Sequence, residues 1–198
     1  MGHSNVNLAA LIGSRICHDL ISPIGAINNG LELLDMAGTG TGPELDLISE
    51  SVGNASARIR FFRVAYGAAG AQQMGRAEVV SILQDMTRGG RLTAAYGPLD
   101  AQPRWAMRLV FLAIQCLETA MPYGGRIEIG LTDGVWELRG HAEKFGFDEM
   151  LWQSLRGDVP DDLAPAHVQF ALLSVHAADA QRRVRYTSDP DQPLTITF

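Results

Sequence analysis

His18 is the residue whose type and setting best suit it to chemistry. It stands in Cys17-His18-Asp19-Leu20-Ile21-Ser22-Pro23. A neutral imidazole nitrogen is a good nucleophile and proton carrier near neutral pH, and an adjacent carboxylate can orient the ring or tune its basicity. Around it, apolar or small residues recur at alternating spacings of four and three: Val6, Ala10, Gly13, Cys17, Leu20, Ile24, Ile27, Leu31 and Leu34. That is the seam of a heptad-patterned helix. His18 falls one position off the seam, toward solvent. Pro23 interrupts the same pattern, and a proline inside a helix removes a backbone hydrogen bond and costs about 3 kcal/mol. Such local inconsistencies in a regular pattern gather at functional sites. On residue chemistry alone, a surface histidine beside a tolerated bend explains the segment equally well.

The other candidates are weaker. His141, His167 and His176 are scattered with no second ligand at metal spacing. Cys17 and Cys116 form no disulfide framework, and both are expected as buried free thiols in apolar helices. Trp105, Trp136 and Trp152 read as packing residues. The Gly-Thr-Gly-Thr-Gly run is too short for a phosphate loop and lies between helices.

Two elements must position His18. The first helix ends at the glycine-rich AGTGTGP, where Pro43 can open a second helix. The seam resumes at Leu45, Ile48, Val52, Ala55, Ile59, Phe62, Tyr66 and Ala69. A short connection makes the pair an antiparallel hairpin. Two helices cannot bury both flanks of their seams, whereas a four-helix bundle from two chains can, so residues 1–70 are expected to form a homodimer. Counting back from the loop near residue 41 sets His18 level with positions near 63, so Arg60 and Arg63 are expected to flank it. Ser14, Arg15, Ile21, Ser22 and Gly25 lie within two turns on the accessible side and are candidate docking positions for a partner.

Residues 67–75, GAAGAQQMG, read as a linker to a second unit over 76–198. There, AEVVSILQDM is a short amphipathic helix, RLTAAYG a strand, and RWAMRLVFLAIQCLETAM a strongly apolar helix after Pro103. RIEIGL and VWELRG alternate around Thr132-Asp133-Gly134, a hairpin signal. FDEMLWQSLRG and HVQFALLSVHAADA are helical, and RRVRYTS and PLTITF are strands around Asp189-Pro190-Asp191. The fold class is α+β: the hairpin, then an α/β sandwich with a mostly antiparallel sheet covered on one face by helices.

Composition narrows the function. The chain has 198 residues, 46% hydrophobic and 19% charged, ample for a core. Lys+Arg is 16 against 22 Asp+Glu, so a non-specific nucleic-acid binder is disfavoured. No apolar run reaches membrane-spanning length and no signal-peptide pattern opens the chain, so a cytoplasmic, soluble protein is expected.

His-Asp-Leu-x-x-Pro on the first helix of a hairpin, followed by an α/β unit, resembles the dimerisation and phosphotransfer region of sensor histidine kinases. The segments LVFLAIQCLETAMPYGGRIEI and HVQFALLSVHAADAQRRVRYTSDPDQPLTITF resemble parts of their GHKL (Bergerat-like) ATP-binding domain. The nucleotide elements of that family are missing. Thr119, beside Glu118, stands where the magnesium-holding asparagine belongs. HAEKFGF replaces the first glycine box, and DLAPAHVQFALL, with Pro165, replaces the second. A degenerate unit of this kind resembles the ChpT family of histidine phosphotransferases from alphaproteobacteria. The resemblance implies His18 as phosphoacceptor and Asp19 as its orienting or tuning neighbour. It implies no ATP, no cofactor and no metal of the chain's own, with magnesium supplied by the partner. The implied partners are the receiver domain of a CckA-like hybrid kinase and CtrA-like and CpdR-like response regulators. Two alternatives stay open: an ATP-binding sensor histidine kinase or phosphatase with divergent nucleotide boxes, and a non-catalytic kinase-like interaction module.

Overall fold

The computed structural model describes residues 2–37, 42–68, 70–157, 160, 162–189 and 192–198. Helices α1 (Gly2–Ala37) and α2 (Pro43–Ala65) come first and pack on each other. Pro43 opens α2 in its first turn, where a missing N–H is harmless because first-turn donors have no partner within the helix. Most of the expected glycine-rich loop, 38–41, lies outside the described residues, as do Ala69 of the seam and Pro190 and Asp191 of the last turn. Helix α1 runs unbroken through Pro23. Lacking an N–H, Pro23 cannot donate to the carbonyl of Asp19, four residues back. The gap in the helix ladder therefore falls next to His18.

The rest of the chain builds a sheet and its helical cover. In order come β1 (Gln73–Met74), α3 (Arg76–Thr87), β2 (Leu92–Tyr96), β3 (Gln102–Pro103), α4 (Arg104–Ala120), β4 (Gly125–Thr132), β5 (Val135–His141), α5 (Glu149–Gln153), α6 (Val168–Asp179), β6 (Arg185–Thr187) and β7 (Leu194–Thr197). Three-residue 3₁₀ turns occupy Ser154–Arg156 and Pro165–His167. The main sheet has the order β2-β4-β5-β7-β6. Only β2 and β4 pair in parallel. A parallel neighbour needs a crossover, and α4 supplies it between those two strands. Asp133 and Gly134 both take positive φ, 51° and 76°, in the two-residue turn joining β4 to β5, as the favoured hairpin turns require. Ile127, Ile129, Trp136, Leu138, Leu194 and Ile196 face inward, while Glu128, Glu137 and Arg139 pair on the open face. That alternation is the mark of a half-buried antiparallel sheet.

Helix α4 is buried nearly all round, from Ala106 through Leu117. A helix without a polar face needs cover on every side. The sheet covers one side, α6 another, and the last turns of α2 a third. Phe61, Phe62, Val64 and Ala65 of α2 thereby join the core of the sheet unit. This corrects the expected seam at its end: Phe62 and Tyr66 face α4, not a second hairpin. The expected linker is also partly structured, since Met74 is buried and β1 pairs with β3. On α1, Leu8, Leu11, Ile12 and Ile16 pack against the same core. Half of the remaining seam is exposed: Ile24, Leu31, Leu45, Val52 and Ile59 are 40–52% exposed, while Leu20, Ile27, Leu34, Ile48 and Ala55 are half-buried. Cys116 is buried, and burial pushes its thiol up. Cys17, expected to be buried, is exposed. Among the described residues no helix is long and apolar enough to cross a membrane.

Gly124 and Gly125 turn the chain from α4 into β4. Gly124 has φ +93°, and a Cβ there would collide with the carbonyl and Cβ of Arg91. Both the conformation and the contact exclude a side chain. Gly124→Ala is expected to destabilise the protein by at least about 2 kcal/mol, read as a lower denaturant midpoint with unchanged slope.

Candidate functional site

The His18 side chain is 84% exposed, while that of its neighbour Asp19 is only 10% exposed. The helix brings them into contact: His18 Nδ1 lies 3.1 Å from Asp19 Oδ1. A carboxylate oxygen can only accept, so Nδ1 carries the proton in this arrangement. The lone pair of a neutral ring is then on Nε2. The carboxylate is itself held. Arg15 Nε, one turn earlier, donates to Asp19 Oδ2 at 2.9 Å, and Arg58 Nη1 of α2 lies 3.8 Å from the same oxygen. A carboxylate gripped from two helices presents its other oxygen to the imidazole in a fixed direction. Arg15 Nη1 also donates to the carbonyl of Ala166, tying α1 to the 3₁₀ turn that precedes α6.

The remaining expected site residues divide. Ser14, Ser22 and Ile21 are exposed, Ile21 by 68%. Gly25 is half-buried, and a Cβ built there meets nothing within 4 Å. Arg15 is engaged with Asp19 and Ala166, as described. Arg60 does not flank His18: its guanidinium is taken by Asp85 of α3. Arg63 is exposed, and its carbonyl accepts from Arg104 Nη2 at 2.5 Å. Arg58, which the residue count missed, takes the place expected for them. Asp19 facing Arg58 sets the level of α2 opposite His18 about one helical turn nearer the start of that helix than a count from residue 41 does.

Arg58 also lines an open cleft of about 420 Å³ with Leu83, Met86, Leu92, Glu118 and Met121. An accessible nucleophile with a fixed tautomer, beside a cleft that mixes apolar and charged side chains, can accept a small electrophilic group presented by another macromolecule.

Thr119, which the resemblance noted in the sequence aligns with the magnesium-holding asparagine, is taken up by internal bonds. Thr119 Oγ1 donates to the carbonyl of Gln115 at 2.9 Å and accepts from Gln169 Nε2 at 3.0 Å. Gln115 Oε1 accepts from the Tyr66 hydroxyl at 3.0 Å. Burial pushes the Tyr66 hydroxyl up to about 12, so it keeps its proton and stays a donor. This ladder joins the end of α2 to α4 and α6 and commits Thr119 to the interior. Pro165, which has no N–H, opens the turn where phosphate-binding amides would be needed. The residues present do not fit a magnesium-nucleotide site. Among the described residues no group of three or more His, Cys, Asp or Glu could hold a metal ion.

Comparison with known proteins places the chain in a family. The family described as "Histidine phosphotransferase C-terminal domain" matches residues 76–192. The protein phosphotransferase ChpT of Brucella abortus (strain 2308) is 37% identical over 131 residues, which are 65% of this chain and 62% of that protein. The match thus spans less than two thirds of that relative's length. A solved structure described as a bacterial phosphotransferase superimposes with a TM-score of 0.80 at 27% identity, covering 97% of this chain and 95% of that one.

Proposed function

Because this chain belongs to the histidine phosphotransferase family, we propose that it carries phosphoryl groups through His18 in a phosphorelay. The observation that carries the reading is the contact of the exposed His18 ring with the clamped Asp19 carboxylate. In the proposed reaction, Nε2 attacks the phosphorus of a receiver's aspartyl phosphate, the N–P bond forms, and the acyl O–P bond breaks to release the receiver carboxylate. The Nδ1 proton stays on the ring, and its bond to Asp19 strengthens as positive charge develops there. Reversal passes the group to a second receiver. Phosphoryl transfer asks little more of the protein than in-line positioning and charge stabilisation, so magnesium is needed only on the receiver.

The proposed partners are the receiver domain of a CckA-like hybrid kinase and CtrA-like and CpdR-like regulators, met in the cytoplasm. Ser14, Ile21, Ser22 and Gly25 would take the receiver backbone, with Arg63 and Arg58 at the rim. Residues 1–70 would act as the dimerisation and transfer hairpin and 76–198 as a scaffold without nucleotide. The exposed half of the seam supports a homodimer, because Ile24, Leu31, Leu45, Val52 and Ile59 together form an apolar stripe that a second hairpin would cover.

Stopped transfer from a phosphorylated receiver domain tests the arrangement. Asp19→Asn is expected to slow transfer about tenfold to a hundredfold, the range for a group that orients or tunes a nucleophile. Receiver affinity and helix content are expected to hold. An unchanged rate would remove Asp19 from the mechanism.

A further inference from the structure

Elsewhere on the molecule, arginines such as Arg15, Arg60, Arg126 and Arg139 sit against carboxylates. One group does not. Arg156, Arg182, Arg183 and Arg185 line an open cleft of about 640 Å³ with Ser174 and Tyr186, and none of the described residues lining it is acidic. None of these four arginines has a carboxylate within 4.0 Å among the described residues. The chain as a whole carries a net charge of −6, so among the described residues this is a local inversion of sign. Like charges gathered without partners repel one another and are relieved by a bound anion.

Two of the four are already positioned. The Arg156 guanidinium lies over the Tyr186 ring, 5.1 Å from its centroid. The Arg182 guanidinium is held at the rim, over Trp105 at 5.8 Å and donating from Nη1 to the Gly134 carbonyl at 3.1 Å, two residues that do not line the cleft. Stacking on a ring leaves the guanidinium edge open to donate and reduces the freedom lost on binding. The concavity is of small-ligand size. It is also remote from the phosphotransfer site. Arg15 meets the chain at Ala166, just before α6, whereas the cleft begins at Ser174 and Ala178, about 12 to 18 Å further along that helix.

We propose that this cleft is a binding site for a compact anion with two or more linked phosphoryl groups, either inorganic pyrophosphate or the phosphate chain of a nucleotide. Guanidinium forks match phosphate oxygens two at a time, and Arg156, Arg183 and Arg185 with the Ser174 hydroxyl offer more donors than a single phosphate can use. The site is separate from the lost nucleotide position beside Thr119, so binding here presents no phosphate to His18.

Calorimetric titration of the full chain with inorganic pyrophosphate at low ionic strength tests this. Saturable binding of one pyrophosphate per chain is expected, with orthophosphate at least about tenfold weaker. The double variant Arg183→Glu, Arg185→Glu is expected to lose at least about tenfold in affinity while its His18 still accepts phosphoryl from a receiver. Arg91→Glu with Arg126→Glu, the same charge change elsewhere, is expected to leave pyrophosphate affinity within about twofold. A nucleoside triphosphate arm separates the sources: tighter binding than pyrophosphate identifies a nucleotide, equal or weaker binding the inorganic anion. Equal loss in both double variants would overturn the proposal, as would no saturation. Binding of poly-glutamate without pyrophosphate would overturn it in favour of an acidic protein surface.

Discussion

His18→Gln is expected to abolish phosphoryl uptake from a phosphorylated receiver and phosphoryl return to an unphosphorylated one, leaving no measurable transfer. Glutamine keeps the polarity and approximate length but has no nucleophilic nitrogen. The fold has no reason to change, because the side chain is 84% exposed and glutamine is a better helix former than histidine. Thermal midpoint and oligomeric state should match the parent, which separates lost chemistry from lost structure. His141, His167 and His176 offer no replacement. His141 lies 3.5 Å from Glu128 on the open sheet face. His176 is half-buried between Arg108 and Asp179, and burial and Arg108 hold it below the ordinary histidine range. The His167 ring stands edge-on to Phe170.

Ile24→Asp is expected to convert a dimer into a folded monomer. In a single chain Ile24 is 50% exposed, and surface substitutions of that kind change stability by only about 0.5 kcal/mol. In a two-chain bundle the same position is buried twice, and two unpaired carboxylates in an apolar seam cost several kcal/mol. Sedimentation reads the difference: the parent at the dimer mass, the variant at the monomer mass, with equal helix content by circular dichroism. Val52→Asp, 47% exposed on the facing helix, should behave alike. A parent that sediments as a monomer at micromolar concentration would contradict the proposed assembly, and so would a variant that remains a dimer.

Most of the secondary structure was legible because its signals are local. The apolar run after Pro103, the alternation on either side of Asp133-Gly134, and the glycine-rich break before Pro43 each specify an element within a few residues. The errors concern which surface meets which. Phe62 and Tyr66 satisfy the heptad spacing as well as Ile24 does, and the pattern alone gave no sign that α4 would claim them. Cys17 was misjudged in the same way: its seam position is real, but nothing within the chain covers it. The pair His18 and Asp19 was readable from adjacency. Arg58 was not, because its place depends on the register between two helices, and an error of about one turn exchanged it for Arg60 and Arg63. The Tyr66–Gln115–Thr119–Gln169 ladder joins residues far apart in the chain and leaves no periodic trace.

In the proposed relay His18 takes phosphoryl from a receiver and not from ATP. The direct measurement is to incubate the chain in parallel with a phosphorylated receiver domain and with magnesium-ATP, then map the modified residue by mass spectrometry under neutral and acidic conditions. One acid-labile, base-stable phosphoryl group on His18 is expected in the receiver reaction and none in the ATP reaction. Label on His18 from magnesium-ATP alone, or acid-stable label on another residue with His18 unmodified, would contradict it.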